Sequence, residues 1–222
     1  MMDVSVVIRR ASARFADRGP GRATWHAFSF GPHYDPEHLG FGPMVCHDEH
    51  LLAAGQGFAA HRHAGLEIVS WVLSGALRHT DPSGSSTVPA GSAGLFSPGA
   101  GGEHSEIAAA PQTRFVQVWL DAVPDGEPSY EVRTPSLTTG AFAEVARPVE
   151  GSMFRVARLE ANESVTLPPA ARQHLFVGSG GLLRSSLAEP LAQGDAFLLT
   201  GEDEVTVAAA VPSELLLWTF AD

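Results

Sequence analysis

The sequence predicts an all-β protein, a β-sandwich or barrel, with an internal echo that either two copies of one β-unit or a chance likeness of Gly-rich turns would explain. Three observations carry this. First, the apolar runs Val4–Ile8, Glu67–Leu73, Phe115–Leu120, Phe154–Leu159, Ala196–Leu199 and Leu215–Phe220 have strand length, and several are rich in Val, Ile, Trp and Phe. Second, Gly and Pro make up about 18% of the chain, which supplies a tight turn every 8–12 residues or so. Third, the chain echoes itself at an offset of roughly 104 residues, close to half its length. Leu73-Ser-Gly-Ala-Leu77 returns as Val177-Gly-Ser-Gly-Gly-Leu182, and Val88-Pro-Ala-Gly91 as Leu191-Ala-Gln-Gly194.

Turns between the runs are marked by Asp81-Pro-Ser-Gly84, Pro98-Gly99 and Gly178-Ser-Gly-Gly181. The polar, Pro-containing stretch Asp121–Pro135 reads as the linker. It divides the chain into an N-terminal unit, 1–125, and a C-terminal unit, 136–222. Only Thr138–Val145 reads as a helix.

The 222 residues are 44% hydrophobic and 18% charged, enough apolar material for a core and too much for wholesale disorder. Formal net charge is −11, and all fourteen basic residues are arginine. With Arg9–Arg10 the only adjacent basic pair, no cluster offers nucleic acid or an anionic membrane a surface. A protein partner is compatible with that charge. A single cysteine, Cys46, excludes an internal disulfide and a multi-cysteine zinc site, and reads as a buried thiol. No basic, then apolar, leader opens the sequence and no apolar run reaches about 18 residues, so the expected location is the cytoplasm.

Nine of the ten histidines lie in the first 104 residues. His33, His38, His47, His50 and His79 sit among turn residues and read as surface groups; His26, in the apolar Trp25–Phe30, reads as a packed, hydrogen-bonded one. Two pairs stand apart. His61 and His63 form an H-x-H, and His104 and Glu106 an H-x-E. Residues i and i+2 of a strand point to the same face. Two such strands can aim three imidazoles and a carboxylate into one barrel, a donor set for Fe(II), Mn(II), Ni(II), Cu(II) or Zn(II) with positions left open. Glu67 is a second candidate carboxylate. By parity Arg62 points away from His61 and His63.

The frame around these pairs is Gly55-x5-His61-x-His63-x3-Glu67-x7-Gly75, then Gly91-x5-Ser-Pro-Gly99-x4-His104-x-Glu106. It resembles the cupin superfamily. More narrowly, Trp25-His-Ala-Phe-Ser-Phe30, Tyr34-Asp-Pro36, Gly55-Gln-Gly-Phe58, His61-Arg-His63, Glu67, Leu73-Ser-Gly75, His79-Thr-Asp81, Gly84 and His104-Ser-Glu106 resemble the pirin family, most closely short bacterial pirins with quercetinase activity. The likeness is dense over about residues 20–120 and loose beyond.

The resemblance implies a bicupin, with a metal-binding N-terminal cupin (1–125) and a degenerate C-terminal cupin (136–222) lacking ligands. The latter carries only His174, read as structural. The resemblance places the metal ligands on His61, His63, His104 and Glu106. It makes Glu106 the catalytic general base as well and Glu67 a supporting residue that orients a ligand imidazole. It implies one divalent transition metal, Fe(II) first, with Mn, Ni, Cu or Zn also accommodated. The expected activity is that of a quercetin 2,3-dioxygenase-like oxidoreductase, using O2 on a small aromatic substrate. Phe58 and Phe96 are candidate walls for such a ring, with plain core packing the favoured reading of both. Some pirins are described as transcriptional co-regulators, so the same resemblance carries a different-class alternative: a metal-dependent, redox-responsive protein-binding module without turnover. The chain departs from the family pattern at Arg62, where Pro is usual, at Ala64-Gly-Leu-Glu67, at Gly94-Leu-Phe-Ser-Pro-Gly99 and at Glu103. These leave the ligands intact and alter the pocket rim.

Overall fold

A computed structural model describes residues 5–185, 188–201 and 204–221. The chain enters through β1 (Ser5–Arg9) and a single 3-10 turn, Ala11–Ala13. Then follow β2 (Phe15–Gly19), β3 (Arg22–His26), β4 (Met44–Leu52), β5 (Gly57–His63), β6 (Leu66–Ser74), β7 (Ala76–Asp81), β8 (Gly84–Pro89), β9 (Ala93–Ser97), β10 (Gly102–Ala108), β11 (Thr113–Asp121) and β12 (Ser129–Arg133). The second half holds β13 (Phe142–Ala146), β14 (Ser152–Leu159), β15 (Ser164–Thr166), β16 (Arg172–Leu182), β17 (Leu191–Ala192), β18 (Ala196–Thr200) and β19 (Thr206–Phe220). Among the described residues there is no α-helix.

The chain forms two compact units. One is Phe15–Thr134; the other joins the described residues before Phe15 to those from Pro135 onward. Ser5–Arg14 group with the second of these units. β1 pairs with β18 along its whole length, from Ser5 opposite Thr200 to Arg9 opposite Ala196. The run read as starting at Val4 begins, among the described residues, at Ser5; Val4 lies outside them.

In Phe15–Thr134 a seven-stranded sheet, β12-β9-β6-β11-β4-β3-β2, is joined by a four-stranded one, β5-β10-β7-β8. β6 lies between β9 and β11, which explains its unbroken buried run, Ile68–Val72. β10 alternates instead: Gly102, His104, Glu106 and Ala108 are buried while Glu103 is exposed and Ser105 and Ile107 are half-buried. Leu52, Val72, Leu77, Val88, Ala108 and Phe115 from both sheets fill one part of the interior. Two glycines are required by geometry. Gly75 turns β6 into β7 at φ +75°, and a Cβ on Gly57 would run into the Glu106 backbone carbonyl.

The other unit is one eight-stranded sheet, ordered β1-β18-β16-β19-β14-β13, with β15 and β17 added on β19 and β16. Its main core cluster is apolar, from Leu159 and Val165 to Leu215 and Leu217, while Gln173 and His174 on β16 are buried as well.

Two expectations fail. Thr138–Val145 is not helical; Phe142–Ala146 is strand β13, paired with β14. β-branched and aromatic content in Phe142–Val145, and a waiting sheet edge, override the weak helical signal. The stretch Asp121–Pro135, read as a linker, contains β12. Tyr130 and Val132 alternate inward there and pair with Phe96 and Gly94.

Candidate metal centre

Strands β5 and β10 run antiparallel, and His61 sits directly opposite His104. The i, i+2 rule then brings His63 beside them. Ring centroids are 4.8 Å apart for His61–His63, 4.5 Å for His61–His104 and 5.2 Å for His63–His104. One nitrogen from each ring lies within 4.8 Å of the others. Arg62 faces out, and its guanidinium donates to the Gly101 carbonyl.

Hydrogen bonds fix which nitrogen each ring presents. His61 Nδ1 donates to the Ala59 carbonyl at 2.7 Å, so its Nε2 is bare. On His104 the argument starts at a carboxylate. Asp81 Oδ2 accepts from His79 Nε2 at 3.2 Å. His79 Nδ1 is then an acceptor and receives the His104 Nδ1 proton at 3.3 Å, which leaves His104 Nε2 bare. The Nε2 atoms of His63 and His104 are buried without a hydrogen-bond partner. Buried bare nitrogens cost about 1–3 kcal/mol each unless something binds them. These donors fit a divalent transition metal: neutral imidazole nitrogens, converging, with partners behind them that set tautomer and orientation. Burial, reinforced by the neighbouring imidazoles, pushes His104 down to about 3 and His63 to about 4, so both rings are neutral near pH 7.

Glu106 stands outside that trio. It forms a second, overlapping group with His104 and His79. The register between β5 and β10 slips there, and Glu106 lies opposite Phe58. Ser70 Oγ donates to its Oε1 at 3.1 Å and Gln117 Nε2 to its Oε2 at 2.7 Å. Gln117 also donates to Ser70 and accepts from Trp119 Nε1, so its amide cannot flip without breaking the network. Burial raises the Glu106 carboxyl above the ordinary range, opposed by the Gln117 and Ser70 bonds. Each carboxylate oxygen keeps a free lone pair.

His61, Glu106, Gln117, Trp119 and Phe58 line a cavity of about 530 Å³, with His26, Asp48, His50, Thr24, Asp17 and Arg22 also on its wall. Phe58 lies on the cavity wall under the Arg22 guanidinium and also packs against the apolar core. Phe96 does not line the cavity: it is 2% exposed and stacks on His104 at 4.4 Å. Glu67 accepts from Ser97 at 2.7 Å, lies in neither group and has no hydrogen bond to an imidazole among the described residues.

Several histidines read as surface groups are interior. His47, His50 and His79 are buried, because strands β4 and β7 carry them inward. His33 and His38 are half-buried against Asp17 and Asp35. His26 is packed and hydrogen-bonded as expected. Sequence reasoning missed His79 and Asp81 as the support of His104, and Ser70 and Gln117 as that of Glu106. The H-x-D at His79 was the available signal. It also missed Tyr130, whose ring stacks on His79 at 3.6 Å and 5°. Cys46 is buried, and burial pushes its thiol well up.

Two β-barrel units, with converging imidazoles and a carboxylate inside one of them, define a bicupin. The Pirin family model matches residues 8–120. A protein of Mycobacterium tuberculosis (strain H37Rv) named "Putative quercetin 2,3-dioxygenase" is 35% identical over 98% of this chain and 96% of its own. The quercetin 2,3-dioxygenase of Escherichia coli K12 is 29% identical, covering 96% and 97%. The crystal structure of the bacterial pirin YhhW from Escherichia coli, in complex with nickel(II), superimposes with a TM-score of 0.88 at 25% identity, covering 98% of this chain and 99% of that one. The chain belongs to the pirin family. No described helix is long and apolar enough to cross a membrane.

Proposed function

We propose that the chain is a metal-dependent dioxygenase that opens the heterocycle of quercetin-like flavonols with O2 as oxidant. The ion would be held by His61, His63, His104 and Glu106. The observation that carries this reading is the pair of buried, partnerless Nε2 atoms on His63 and His104, set beside His61, which lines a cavity together with Glu106. The names of the relatives support it, as does the nickel in the related pirin.

A divalent ion there supplies Lewis acidity, which favours the ionised form of a substrate hydroxyl. The protein does the rest. Glu106, with its carboxyl raised by burial, takes up the hydroxyl proton on Oε1 or Oε2. Ser70 and Gln117 hold that carboxyl in place throughout. Phe58 and Trp119 offer apolar faces to a flat ring system, and the cavity volume lies within the usual range of about 300–1,000 Å³ for small-molecule sites. Fe(II) is the first candidate ion; Mn, Ni, Cu and Zn suit the same donors.

The test is oxygen uptake by protein reconstituted anaerobically with each ion, against a flavonol panel. Uptake that needs both ion and flavonol and is lost in Glu106→Ala is the expected result. Stoichiometric metal without uptake on any flavonol would overturn the substrate class, and full uptake by metal-free protein would overturn the mechanism.

A further inference from the structure

His26 is used by none of this chemistry, and carboxylates engage both of its ring nitrogens. The side chain is 4% exposed. Nδ1 lies 2.7 Å from Asp48 Oδ2, and Nε2 lies 3.2 Å from Asp17 Oδ2. A neutral imidazole has one N–H. The shorter contact, to the buried Asp48, takes it. The Nε2 lone pair is then left against a carboxylate oxygen, and a positive charge has to lie between them. His33 Nε2 comes within 2.8 Å of the other oxygen of Asp17. One ligand atom from each of Asp17, His26 and His33 lies within 4.8 Å of the other two.

We propose that Asp17, His26 and His33 form a second binding site for a divalent transition metal, with Asp17 and His26 on the wall of the same cavity. Two imidazoles and one carboxylate form a recurring N/O donor set that leaves positions open to water or ligand. The 3.2 Å between His26 Nε2 and Asp17 Oδ2 is close to the ~3.3 Å edge of a tetrahedron around an ion with bonds of about 2.0–2.1 Å. Asp48 plays the part that carboxylates play behind metal-bound imidazoles, fixing the ring and its tautomer.

The local fold holds the three donors in place. Asp17 and Phe15 share β2, which pairs with β3, where His26 sits opposite Phe15. His33 closes a tight turn bonded to Phe30 through both backbone groups, at 3.0 Å each. Phe15 stacks on His33 at 5.1 Å and 13°, and Phe30 on His26 at 5.2 Å and 14°. The competing occupant is a proton, which would make His26 an imidazolium and the cluster a simple relay.

Nickel binding to the full chain separates the two. Isothermal titration, with bound nickel counted by elemental analysis after dialysis, should show a second equivalent beyond the one held by the His61–His63–His104 cluster. Asp17→Asn and His33→Ala should each remove that second equivalent and keep the first. Both residues are at least partly exposed, and circular dichroism checks that the fold survives; His33→Gln is the fallback variant. A chain carrying His61→Ala and His104→Ala should still bind nickel in a manner that depends on His33. A His33→Ala isotherm identical to wild type would overturn the proposal, and so would a complete loss of binding on removing His61 and His104. In either case His26 carries a proton. Failure of the dioxygenase reading would show separately, as nickel binding indifferent to His61 and His104 or as absent turnover.

Discussion

The two units solve the same backbone problem and fill the result differently. In the N-terminal unit the backbone N–H of Val72 donates to Ser92, and Gly91 donates back to Val72. In the C-terminal unit Val177 and Asp195 make the first of those bonds and Gly194 and Val177 the second. Gly91 and Gly194 both turn at positive φ, +77° and +88°. The strand pair that carries the converging imidazoles also has a counterpart. β5 pairs with β10 and sets His61 opposite His104; β15 pairs with β19 and sets Val165 opposite Val207. Where one interior holds imidazoles and a carboxylate, the other holds valine and leucine. The turns and register therefore make the barrel, and the inward residues of one strand pair decide whether it can carry a metal. Bare buried nitrogens weaken a fold; in the N-terminal unit they cluster, whereas the C-terminal interior carries the single imidazole of His174.

Four predictions test this contrast. The largest effect is expected for His104→Ala, which removes the most buried ligand and the end of the Asp81–His79 relay. Nickel affinity at that cluster should fall by well over ~100-fold, read by isothermal titration, with the C-terminal unit unaffected. Leu217→Ala, in the apolar interior, should do the opposite. It should cost about 2–5 kcal/mol in urea denaturation and leave nickel affinity in the folded protein unchanged.

The third concerns pH. Burial holds His174 down at about 4, so the folded ring is neutral where the unfolded one, near 6.5, takes a proton. Its contribution is intact above about pH 6.5 and is lost as pH falls toward 4, by up to about 3 kcal/mol. His174→Leu should make the urea midpoint fall less over that window, the remainder coming from the other histidines that burial holds down, His50, His63 and His104. The smallest effect is expected at the support of the centre. His79→Ala or Asp81→Asn should weaken nickel binding about 10- to 100-fold without removing it. An unchanged affinity would mean that the relay behind His104 is packing alone.

Much of the fold was legible because alternation and turn chemistry are local. The H-x-H and H-x-E pairs declared their facing, and β5 and β10 deliver it. What failed was long-range. Nothing local to Ser5–Arg9 says that it will pair with β18, Ala196–Thr200, near the other end of the chain. His47, His50 and His79 were misread because polar neighbours suggest a surface, while a strand's partners decide burial. Ser70 and Gln117 were invisible as site residues for the same reason: they reach Glu106 from the opposite sheet. Tyr130 was hidden inside a stretch whose prolines and acids read as linker.

The most direct test of the central claim is nickel titration in a His33→Ala background, which isolates the His61–His63–His104 cluster. The account predicts one equivalent in that background and none once His61→Ala and His104→Ala are added. Undiminished nickel binding by the triple variant would contradict it, because the ion would then be held somewhere other than the imidazoles of β5 and β10.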